Sequence, residues 1–91
     1  MASSSEAFAR FSTWKKDKTS LRVNVIVNGE TTDVLKGSIF AVDPEASQVG
    51  IVLGMQNFRG LDVGGADFTV ESTRVVVTRN ELDWLVFEEL S

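Results

Sequence analysis

The stretch that most limits the fold runs from Val23 to Asp43, VNVIVNGETTDVLKGSIFAVD. It reads as strand, tight turn, strand. Leu21, Val23, Val25 and Val27 share one face of the first strand and Arg22 and Asn24 the other, with Ile26 the exception. Alternation over a β-branched run marks a half-buried strand. Asn28-Gly29 then supplies a two-residue hairpin turn, because both types tolerate positive φ. The second strand is expected from about Thr32 to Val42. Leu35, Ile39 and Ala41 lie on one side of it and Val34, Phe40 and Val42 on the other. Both sides are apolar near its end, so both need cover. Gly37 falls inside it, where a strand avoids glycine, and predicts a bend or bulge. A strand bent that strongly lets one short sheet serve two sides of a barrel.

The chain has 91 residues, which fits one domain, 1–91. A domain of this size buries only about two-thirds of its unfolded surface. There is no cysteine for a disulfide and no pattern for a metal staple or other cofactor, so oligomerisation is the remaining common reinforcement. The lack of cysteine fits a cytoplasmic protein. No signal peptide is visible, and no apolar run approaches the roughly 20 residues of a membrane helix.

Net charge is −4, which argues against sequence-independent binding to nucleic acid. The charge is unevenly placed. Arg10, Lys15, Lys16, Lys18 and Arg22 crowd the start, and Glu81, Asp83, Glu88 and Glu89 the end. These are either two solvated surfaces or complementary faces of neighbouring subunits.

Residues 3–16 read as a helix. Ser3 and Glu6 form a capping-box pattern, Ala7, Phe11 and Trp14 follow i, i+4, i+7 spacing, and Phe8 flanks them. Lys15 and Lys16 suit the C-terminal turn. The helix is expected to plug one open end of the sheet. Asp43 to Ser47, with Pro44, makes a turn. Val49, Ile51, Leu53 and Met55 line a third strand, with Gly50 and Gly54 opposite. Residues 56–72 read as an irregular loop, with room for a short strand at Phe68–Val70. Arg74–Thr78 and Leu82–Glu89 read as the fourth and fifth strands. Both are apolar on two sides and come last in the chain, so Val75, Val77, Trp84 and Val86 are candidates for an interface between subunits through exposed edges.

Chemistry is sparse. The chain has no histidine, which removes the Ser-His-Asp and Cys-His arrangements and the usual neutral-pH base. No catalytic residue and no metal ligand is assigned. Asp62 and Asp67 bracket a glycine-rich loop without the dense oxygen spacing of a calcium loop, and its glycines are not followed by a phosphate-loop pattern. Phe58 beside Arg59 offers a ring and a cation that could grip a base. Trp84, mid-strand, reads as core or interface.

Helix first, then five strands with a bent second strand after Asn28-Gly29, resembles the Sm-like (Sm/LSm) family. Val23, Val25 and Val27 leading to Asn28-Gly29 are similar to its first motif, as is Gly37-Ser38-Ile39 followed by Asp43. Val75 to Arg79, a turn and an apolar last strand look like its second motif. The likeness covers roughly residues 5–89. It implies a strongly bent five-stranded SH3-like barrel that forms a homo-oligomeric ring by pairing the fourth strand of one copy with the fifth of the next. It also implies single-stranded, uridine-rich RNA as ligand. Asp43 matches the aspartate that orients the first loop, and Arg79 the arginine of the second motif. Ser47 stands where the family has a base-reading asparagine, Glu45 stands near its stacking side chain, and Asn80 replaces a glycine. The expectation is a non-catalytic binding module in which Arg79 contacts base or phosphate, Asp43 shapes the loop and Arg59 assists. The alternative is a structural or protein-interaction oligomer that binds no nucleic acid.

Overall fold

The computed structural model describes residues 4–54 and 57–90. It begins with one helix, α1 (Ser4–Asp17), whose buried residues are Ala7, Phe11 and Trp14. That is the face the spacing predicts. The Ser3 cap lies outside the described residues, as does Met55. The helix stops at Lys18, which takes a positive φ of 53°. Thr19 N–H donates to the Trp14 carbonyl at 3.1 Å and Lys18 N–H to Lys15 at 3.3 Å. This pair of bonds satisfies the last carbonyls of a helix when the chain turns left-handed after it.

Among the described residues seven strands follow: β1 (Leu21–Val27), β2 (Glu30–Asp43), β3 (Gln48–Val52), β4 (Phe58–Asp62), β5 (Asp67–Val70), β6 (Arg74–Thr78) and β7 (Trp84–Glu89). They form one antiparallel sheet in the order β4-β3-β2-β1-β7-β6-β5. The fold is therefore mainly β with an N-terminal helix, as expected. The sheet is open and seven-stranded, and this corrects the expectation of a closed five-stranded barrel. The two extra strands, β4 and β5, fall within residues 56–72, where the sequence predicts an irregular loop with room for one short strand. The short strand anticipated at Phe68–Val70 is β5, and β4 was not foreseen.

The hairpin β1–β2 turns at Asn28 and Gly29, with φ of 54° and 76°, the left-handed pair a two-residue turn requires. Gly37 is where β2 changes partner. Residues up to Gly37 pair with β1, and Ser38 to Asp43 pair with β3. A Cβ at Gly37 would lie 2.0 Å from the Val52 carbonyl oxygen, so the bend depends on the missing side chain. A bulge between Ile39 and Ala41 follows. It inserts one residue, so Ile39 faces the core, Phe40 faces out and Val42 packs inward again. The bulge explains why both faces of this segment looked apolar.

The core runs from α1 into the sheet. Phe11 lies 4.9 Å ring to ring from Phe87 and 6.0 Å from Trp14, and Phe8 lies 6.0 Å from Phe68. Leu21, Val23, Val49, Ile51, Val75, Val77 and Phe87 are fully enclosed. Strands β6 and β7 are interior, each bonded on both sides. The expectation that at least one of the last two strands lies at an edge is corrected: the ends of the sheet are β4 and β5. No helix among the described residues is long and apolar enough to cross a membrane.

Candidate functional site

Strand β4 ends the sheet, and its backbone shows which way its free groups point. Leu53 N–H donates to the Asn57 carbonyl at 2.7 Å, and Val63 N–H to the Ser47 carbonyl at 2.8 Å. Odd-numbered residues of this stretch thus turn their backbone groups toward β3, and Phe58, Gly60 and Asp62 turn theirs away. Among the described residues only the Asp62 carbonyl finds a partner on that side, the guanidinium of Arg79. The N–H and C=O of Phe58 and Gly60 face outward from the edge.

Beside that edge is a cavity of about 350 Å³, lined on the β4 side by Gly60, Leu61 and Asp62. Its other walls are Val25 and Ile26 of β1 and Trp84 and Leu85 of β7, with Arg79 and Asp83 also lining it. It occupies the seam between the free edge of β4 and strands β1 and β7. Exposed Val27 adds apolar surface to its wall. A second depression, of about 560 Å³, lies near the start of α1 and has no charged side chain in its wall.

The turn between β6 and β7 is latched to the β1–β2 hairpin. The Asn28 N–H donates to Asp83 Oδ1 at 3.0 Å, Asn80 Nδ2 donates to Asp83 Oδ2 at 2.9 Å, and Gly29 N–H donates to the Leu82 carbonyl at 2.9 Å. The Asn80 hydrogen bond, then the Asn28 N–H, hold the Asp83 carboxyl below the ordinary aspartate range, with Arg79 helping and partial burial opposing. A folded-state pKa below the unfolded one adds stability above the unfolded value, lost as pH falls through the folded value. Asp83→Asn should therefore lower the urea midpoint near neutral pH, with the gap to wild type closing below the ordinary aspartate pKa. A gap that stays constant through that acid range would show that the carboxylate charge plays no part in the latch.

The residues singled out from sequence are dispersed. Asp43 shapes its turn, accepting the Ala46 N–H at 3.1 Å. Register links Asp43 to Gln48 and Gln48 to Asp62, so Asp43 lies two strands in from Asp62, while Asp62 and Arg79 meet at the seam. Arg59 stands apart, paired with Asp33 at 3.4 Å. It shares a strand face with buried Leu61, while Phe58 points the other way and meets the Phe40 ring edge-on at 4.8 Å and 65°. The ring and cation that adjoin in sequence thus lie on opposite faces of β4. Val75 and Val77 are enclosed in the core, and Trp84 and Val86 are half-buried. Arg22 pairs with Glu88 within the chain at 2.5 Å, joining part of the basic start to the acidic end. Among the described residues, no three His, Cys, Asp or Glu side chains converge on a metal position.

Sequence reasoning missed Asp83 and the free edge. The Asn80-Glu81-Leu82-Asp83 run carried a signal for the first: the Asn80 side-chain oxygen accepts from Leu82 and Asp83 N–H at 2.9 and 3.0 Å, a turn that asparagine forms readily. No protein-family model, curated protein or solved structure matches the chain.

Proposed function

We propose that this protein is a non-catalytic protein-interaction module, Sm-like in its order of helix, hairpin and bent second strand, that works by accepting a further strand along β4. The observation that supports this reading is the outward-facing backbone of Phe58 and Gly60 beside an apolar cavity. Edges of this kind are normally blunted by proline, by lysine, by a bulge or by cover. The other end, β5, is four residues long and has α1 against it through Phe8 and Phe68. A ring would join β4 of one copy to β5 of the next. A strand from another protein needs β4 alone.

Single-stranded RNA is the second reading. It draws on the exposed guanidinium of Arg79 at the rim and on the exposed Phe40–Phe58 pair. Against it stand Asp62 and Asp83 beside that one arginine, in a chain of net charge −4. Fluorescence anisotropy with labelled oligo-U at two salt concentrations separates the two. The protein-interaction reading expects no binding at micromolar protein in low salt. Binding that weakens steeply with salt and disappears in Arg79→Ala would establish RNA instead.

A further inference from the structure

The seam combines three features that belong together in one kind of ligand. The first is a row of backbone donors and acceptors on Phe58 and Gly60 that meet no partner among the described residues. Only an extended chain can satisfy such a row along its length, as in strand addition to an exposed sheet edge. The second is the cavity behind the row. Leu61 of β4 lines it with Ile26 and Leu85, all three buried, so it reaches the core side of the sheet. Alternate side chains of an added strand point to that side, and a bulky apolar one would enter the cavity. The third is charge. Asp62 and Asp83 flank the Arg79 end, and Asp43 lies two strands away in the same row. Arg59, at the other end of β4, is already held by Asp33.

Taking the β4 edge as the working surface, we infer that the seam binds an extended segment of another protein that carries one bulky apolar residue, seated in the cavity, and a lysine or arginine beside it, facing Asp62 and Asp83. The residues of that segment on the outer face would lie along Phe58 and the bare surface of Gly60, where a Cβ would meet nothing within 4 Å. The Asp62 carbonyl keeps its bond to Arg79, which sets where the added strand stops.

Selection from a phage library of random linear peptides against the full chain tests this. Enriched sequences should carry an aromatic residue or leucine with a neighbouring basic residue. Synthetic copies should lose affinity on the order of tenfold in Gly60→Pro, which removes an edge N–H without touching the β3 ladder, and should keep it in Gly60→Ala. Should Gly60→Pro fail to fold, amide exchange on the wild type replaces it: bound peptide should slow exchange at Phe58 and Gly60. No enrichment, enrichment of acidic sequences, or affinity indifferent to Gly60→Pro overturns the inference. Exchange in the free protein separates its failure from that of the reading it rests on. Fast exchange at Phe58 and Gly60, with Arg59 and Leu61 protected, leaves the open edge standing even when peptides do not bind. Protection at all four in dilute protein removes the edge itself. Protection that appears only as the free protein is concentrated means that a second copy fills the seam, and overturns the inference.

Discussion

Gly37→Ala is expected to cost about 3 kcal/mol or more, against a total stability of roughly 5–15 kcal/mol for a domain of this kind. The added methyl would sit 2.0 Å from the Val52 carbonyl oxygen, 2.9 Å from its carbon and 3.2 Å from Leu53 Cα. All three atoms are backbone, so no rotamer change relieves the clash. The chain would have to part β2 from β3 next to the Ser38–Val52 pair, where the sheet folds over on itself. Two other glycines calibrate the effect. A methyl on Gly50 would come within 2.7 Å of the Phe40 ring, but that ring is 42% exposed and can swing away. A methyl on Gly60 would meet nothing. Urea midpoints should therefore rank Gly60→Ala near wild type, Gly50→Ala somewhat lower, and Gly37→Ala far below or unfolded. If Gly37→Ala lost no more than Gly50→Ala, the bend would not depend on close backbone approach.

The same glycine shows what the sequence could tell. A glycine inside an apolar strand has few explanations, and bending is one of them. The helix face was equally legible, because Ala7, Phe11 and Trp14 repeat at helical spacing and nothing competes with that reading. Strand β4 was not legible. Of Phe58 to Asp62 only Leu61 is buried, so burial leaves almost no alternation to detect, and what makes the segment a strand is its register with β3. Once β4 is known, the separation of Phe58 from Arg59 follows, since neighbours in a strand face opposite ways. Which strands end the sheet depends on all the pairings together: coming last in the chain suggests an edge for β6 or β7, yet both lie inside. Arg79 stands out in the sequence only through the resemblance to the second motif of the Sm-like family. Its role as the stop on the β4 edge requires knowing that the Asp62 carbonyl points outward, a fact no local pattern carries.

Phe11→Ala should remove about 3–5 kcal/mol, the cost of emptying a large aromatic site in a core. Phe11 has no exposed surface, and its ring meets Phe87 at 4.9 Å, Phe8 at 5.7 Å and Trp14 at 6.0 Å. A helix of 14 residues is marginal by itself in water, so α1 is held by these contacts and in turn covers the sheet. If helix and sheet are one cooperative unit, the variant unfolds at lower urea in a single step. The two tryptophans make this measurable, because Trp14 reports on the helix and Trp84 on the sheet, and each can be isolated by replacing the other with phenylalanine. Both signals should move together, because Phe87 belongs to the same strand as Trp84 and loses its packing when the Phe11 ring is gone. A helix that melts first, with the Trp84 transition unmoved from wild type, would make α1 a detachable cover. The apolar surface it leaves on β7 would then be a second exposed face of this protein.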